Sequence, residues 1–148
     1  GIEIYKGKPI FYSLGDFIFQ NETLLRLPYD NYSAYNLGND MSAWVADFNA
    51  ARYSNETRGF PTNREIWESV IAMPTFEKGR LVSLELHPIT LGFGQPAMVR
   101  GRPMLAGREL GRKIIQDLIE RSSRYGTAIE WQENKGIGVV RINRTTDP

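Results

Sequence analysis

Two groups of residues in this chain have the types and spacing to do chemistry. The first is a carboxylate, Asp16, which follows the apolar run Pro9-Ile10-Phe11-Tyr12-Ser13-Leu14 and a glycine. Ligand sites in α/β folds gather at strand ends, so Asp16 is a candidate for such chemistry. The plainer alternative is that Asp16 caps its own turn. The second group lies between Arg100 and Arg124, where seven basic residues face only Glu109, Asp117 and Glu120. Arg100, Arg102 and Arg112 are the anion-binding candidates in it, since a guanidinium grips a carboxylate or phosphate through two parallel hydrogen bonds. The plainer alternative here is a solvated helix face, with Arg121 and Arg124 favoured near a helix C-terminus by its dipole.

Other chemistries lack their parts. No cysteine is present, which excludes disulfides, thiol catalysis and Cys-based zinc sites. His87 is the only histidine, and one imidazole on a strand is a poor metal candidate, because such sites combine several ligands. A serine nucleophile would need a base beside it, and there is no Gly-X-Ser-X-Gly elbow or phosphate-binding Gly-rich loop. Eighteen basic and seventeen acidic residues give a net charge of +1, which offers no global argument for nucleic acid, and none is expected as a partner. No apolar run approaches the ~18 residues of a membrane-spanning helix. The four Asn-X-Ser/Thr sequons, at Asn21, Asn31, Asn55 and Asn143, are read as chance matches in an Asn-rich chain.

The elements that must position these residues read as α+β: antiparallel hairpins plus one amphipathic helix near the C-terminus. With 148 residues, 41% of them hydrophobic, a single domain with a core is expected. Residues 1–20 form a hairpin turning at Lys6-Gly7-Lys8, its second strand apolar on both faces and so expected to be covered on both. Residues 21–63 form an insertion rich in Asn and Tyr. Its best helical piece is Asp40 to Ala51, with Trp44, Phe48 and Ala51 on one face and Asp40 or Ser42 as N-cap; the rest reads as loop. Tyr offers a flat apolar face with a polar tip, which suits sugar or polar-polymer contact. Alternatively, the aromatics only pin the insertion to the core.

Residues 64–90 alternate cleanly and form a second hairpin turning at Glu77-Lys78-Gly79-Arg80. Val82, Leu84 and Leu86 are expected on one face and Ser83, Glu85 and His87 on the other, with Met73-Pro74 marking an edge or a bulge. A Gly- and Pro-punctuated connector leads to a helix over 105–125, striped by Leu110, Ile114, Ile115, Leu118 and Ile119 and closed by Gly126. Residues 127–142 make a third hairpin.

The run Ile2 to Phe19, IEIYKGKPIFYSLGDFIF, resembles the strand-turn-strand segment near the C-terminal end of CapA-type proteins, bacterial capsule or poly-γ-glutamate biosynthesis proteins related to the calcineurin-like metallophosphatases. The Leu-Gly-Phe-Gly of Leu91 to Gly94 and the Arg-Gly-Arg-Pro of Arg100 to Pro103 extend the resemblance along the chain. Asp16 stands where many relatives carry Asn, so no role is carried over to it. The resemblance implies the C-terminal portion of a metallophosphatase-like α/β sandwich, one partial domain over residues 1–148. In the complete protein it implies a divalent metal pair, with ligands in an upstream half that would be the partner of this chain. It further implies phosphoesterase chemistry there, with the strand ending at Asp16 and the loop that begins at Asn21 lining the cleft, location at the bacterial cell envelope, and a chain that is catalytically silent by itself. The other reading is a non-catalytic binding module for an anionic envelope polymer.

Overall fold

The computed structural model describes residues 1–13, 15–19, 23–38 and 43–142. The architecture is α+β with antiparallel pairing throughout the described strands. The chain gathers into two compact units. One comprises Gly1–Gly15, Glu68–Thr90 and Met104–Pro148, the other Asp16–Trp67 and Leu91–Pro103.

The first unit holds both sheets. β1 (Ile2–Tyr5) and β2 (Lys8–Phe11) form the opening hairpin, with Lys6 and Gly7 at positive φ in the turn. β3 (Glu68–Glu77) and β4 (Arg80–Thr90) form the long hairpin. β5 (Met104–Leu105) pairs with β4, and β6 (Ile129–Gln132) and β7 (Ile137–Val140) complete the sheet in the order β3-β4-β7-β6. α3 (Arg108–Ser123) packs on one face of it. Periodicity dictates this packing: Ile115 meets Ile2, Leu84, Leu86, Ile129 and Val140 in the core, with Leu118 and Ile119 at its margin. Gly138 leaves the room α3 needs, since a Cβ there would stand 2.9 Å from Cδ1 of Ile115.

Three expectations are corrected within this unit. β2 ends at Phe11, and Ile10 is 37% exposed, so the strand is not covered on both faces. β4 carries a bulge opposite Thr75 and Phe76, in which Val82 is the extra residue; Leu81 turns inward instead and Val82 is 43% exposed. The bulge falls beside Pro74, and β3 lies at the sheet edge, as the Met73-Pro74 step predicts. The final helix is Arg108–Ser123, shorter at each end than 105–125.

The second unit is built on aromatic rings. Phe19, Phe60 and Trp67 cluster with centroids 4.8 to 5.6 Å apart, Tyr53 meets Phe60 edge-on at 4.5 Å, and the Trp67 indole N–H donates to the Phe60 carbonyl at 2.9 Å. α1 (Tyr29–Ser33), which the sequence reading treats as loop, and α2 (Val45–Arg52) pack through Tyr32 and Phe48. α2 starts later than expected. Its N-terminus is fixed by the Asp47 carboxylate, which accepts from the Trp44 backbone N–H at 2.7 Å, while the suggested caps Asp40 and Ser42 lie outside the described residues.

Residues from the three resembling segments, Phe19, Leu91 and Gly101, meet in this unit. Phe19 N–H donates to the Gly101 carbonyl at 2.8 Å, and Gly101 N–H to the Leu91 carbonyl at 2.7 Å. A Cβ on Gly101 would lie 1.9 Å from the Phe19 carbonyl oxygen, and its φ is +90°. The glycine of Arg-Gly-Arg-Pro is therefore required by close backbone approach.

Candidate functional site: two cavities beside one helix

α2 turns two faces to its surroundings. Val45 and Phe48 are buried in the unit, while Ala46, Asn49 and Ala50 point into an open space. Behind α2 the chain makes a left-handed turn without a glycine, with Ser54, Asn55 and Glu56 at φ of 48°, 52° and 68°. Such a conformation costs roughly 1–2 kcal/mol per residue and persists where surrounding bonds over-determine it. Here Asn55 N–H bonds the Ala50 carbonyl at 2.9 Å and Thr57 N–H the Tyr53 carbonyl at 3.0 Å. The turn returns Glu56 and Arg58 to the side of α2.

Two cavities result, sharing Phe19 and Tyr53 in their walls. The first, about 570 Å³, is bordered by Arg52, Arg58, Tyr35 and Phe60. Arg58 Nε donates to the Arg52 carbonyl at 3.0 Å, and the Arg52 guanidinium lies 5.2 Å from the Tyr53 ring centre. Both arginines are exposed, and neither forms an ion pair among the described residues. Gly59 completes this wall; a Cβ there would approach Tyr53 to 2.9 Å. Two unneutralised guanidiniums with aromatic walls can hold a carboxylate or phosphate and the apolar group that carries it.

The second cavity, about 550 Å³, is bordered by Ala46, Asn49, Ala50, Asn55, Glu56 and Met98. Arg100 also reaches it, with its side chain only 5% exposed. Its guanidinium pairs with Glu56 at 2.6 Å and lies over Trp67 at 5.3 Å. The two cavities thus differ in charge: one offers uncommitted cations, the other a cation already neutralised.

The sequence candidates separate. Asp16 is exposed and stands several residues beyond the end of β2, so its carboxylate is not at a strand end. Asn21 lies outside the described residues. Arg100 is a buried structural cation, and Arg102 is exposed without an ion pair among the described residues. Arg112 belongs to the first unit, where it bonds the Glu133 carboxylate. The Trp131 indole N–H first, then Arg112 and Arg108, hold that carboxyl below the ordinary glutamate range. His87 lies half-buried, 3.3 Å from Glu85. Sequence does not single out Arg52 and Arg58, whose only signal is basic charge inside the Asn- and Tyr-rich insertion.

Among the described residues no three His, Asp or Glu side chains gather as metal ligands. No helix of the described residues is long and apolar enough to cross a membrane.

No protein-family model matches the chain. It is similar to two proteins of Sinorhizobium fredii, the uncharacterized proteins y4sH and y4uA, each 36% identical over 153 residues. The match covers 96% of this chain and 31% of each relative, so the chain spans about a third of the length of the curated relatives it matches.

Proposed function

We propose that the chain is the acidic-polymer-binding portion of a CapA-like, metallophosphatase-fold protein acting at the bacterial cell envelope in capsule or poly-γ-glutamate synthesis. The observation that carries the reading is the pair Arg52 and Arg58, both without a carboxylate partner among the described residues, at a cavity walled by Tyr35, Tyr53 and Phe60. A guanidinium gives a carboxylate two parallel hydrogen bonds, and the rings cover the apolar stem of the same unit. The resemblance over Ile2 to Phe19 and Arg100 to Pro103 supports the family assignment. In this reading the upstream half of the protein supplies the metal ligands, and any phosphoester hydrolysis belongs to the complete protein. This chain's own residues bind and position polymer.

The test is titration of the purified chain with a poly-γ-glutamate oligomer at low and at moderate salt. The reading expects binding that weakens as salt rises and that the Arg52→Ala/Arg58→Ala variant loses, with no phosphoester hydrolysis in divalent metal. Phosphoesterase turnover by these 148 residues would overturn the division of labour, and salt-independent binding would overturn the anion site.

A further inference from the structure

The second cavity differs from the first in a way that narrows the polymer. It shares the Phe19 and Tyr53 walls, so a chain seated on Arg52 and Arg58 has this space next to it. Its floor is Ala46 and Ala50, one helical turn apart on α2, which leave room for a ring-sized group. Its rim carries the amides of Asn49 and Asn55, each able to donate and accept, and the Glu56 carboxylate, 55% exposed. Among the described residues the one cation that lines it is Arg100, whose buried side chain is paired with Glu56. Among the described residues, a second anion placed here would meet a carboxylate and no uncommitted positive charge. A neutral, flat group edged with hydroxyls or amides would meet apolar walls and matching hydrogen-bond partners.

On the acidic-polymer reading, we infer that the second cavity is a subsite for a neutral sugar ring, so that the ligand is a glycan alternating acidic and neutral residues. The acidic residue's carboxylate lies between Arg52 and Arg58. The neutral ring lies over Ala46 and Ala50, its apolar face against Tyr53 and its hydroxyls on Asn49, Asn55 and Glu56. A polyglutamate, which carries a carboxylate on every unit, fills the first cavity only. The strained turn at Ser54, Asn55 and Glu56 aims two of these polar groups into the space.

The experiment is a calorimetric titration of the whole chain with three probes of matched length. They are an oligosaccharide alternating hexuronic acid and N-acetylhexosamine, a poly-γ-glutamate, and a neutral N-acetylhexosamine oligomer. The inference expects the acidic oligosaccharide to bind about tenfold more tightly than polyglutamate. Ala50→Phe, which fills the floor, and Asn49→Ala each remove that preference and leave polyglutamate affinity unchanged. Asn49→Ala keeps the test valid should the larger side chain impair folding. Equal affinity for the two polyanions, unmoved by either variant, overturns the sugar subsite and leaves the acidic-polymer reading standing. Absence of binding by both polyanions overturns both.

Discussion

Arg58 donates through Nε to the backbone carbonyl of Arg52 at 3.0 Å, and both residues border the same cavity. Neither guanidinium has a carboxylate partner among the described residues. Hydrogen bonds to charged groups are worth roughly 1.5–3 kcal/mol, and about 1.4 kcal/mol is a factor of ten. Arg52→Ala or Arg58→Ala should therefore each weaken polyanion binding about tenfold, as titration would read. Arg112→Ala should leave the same affinity within about twofold, because Arg112 already bonds Glu133.

Ser54 pays for a left-handed backbone that glycine adopts freely. The conformation costs roughly 1–2 kcal/mol, and glycine's extra unfolded-state entropy returns roughly 0.5–1 kcal/mol of that. Ser54→Gly should thus stabilise the chain by about 0.5–1 kcal/mol in denaturant melts. Gly101→Ala should do the opposite by more than about 2 kcal/mol, since backbone must move to relieve a 1.9 Å approach to the Phe19 carbonyl.

Much of the fold was legible because its signals are local. Lys78 and Gly79 both take positive φ, as the two-residue hairpin turn demands, and the flanking alternation set the register up to the bulge at Val82. The stripe from Leu110 to Ile119 likewise announced α3. The Pro9–Leu14 run misled because an apolar side chain reads the same in sequence whether covered or exposed. The site was less legible still. Arg52 and Arg58 share no helical or strand face by spacing, and they meet only because Ser54, Asn55 and Glu56 turn left-handed without a glycine to mark it. Arg100 and Arg112 look alike in sequence, and only their carboxylate partners Glu56 and Glu133 separate structural cations from available ones.

Lys113 should govern the alkaline limb of stability. Its Nζ bonds Glu68 at 2.5 Å and Asp117 at 3.0 Å, and the Glu68 side chain is only 7% exposed. The hydrogen bond to Glu68, outweighing partial burial, raises the Lys113 pKa above the ordinary lysine value. A raised pKa contributes stability that is complete below the unfolded value and lost as pH climbs through the folded one. Melting temperature should therefore fall in strongly alkaline buffer, and Lys113→Met should flatten that limb while costing about 2 kcal/mol at neutral pH.

Glu133 should act at the acid end. Its carboxyl is held below the ordinary value by the Trp131 indole N–H, Arg112 and Arg108. Stability from a depressed pKa is present above the unfolded value and lost as pH falls through the folded one. Glu133→Gln should reduce the acid dependence of the melting temperature, and an unchanged profile would show that these surface contacts carry none of it.

The most direct measurement is the affinity of a short polyanion for the unmodified chain and for Arg52→Ala/Arg58→Ala, in parallel at two salt concentrations. Salt-dependent binding by the first is expected, and its loss, about a hundredfold, in the second, with both proteins melting alike. Equal binding by the two folded proteins would contradict it.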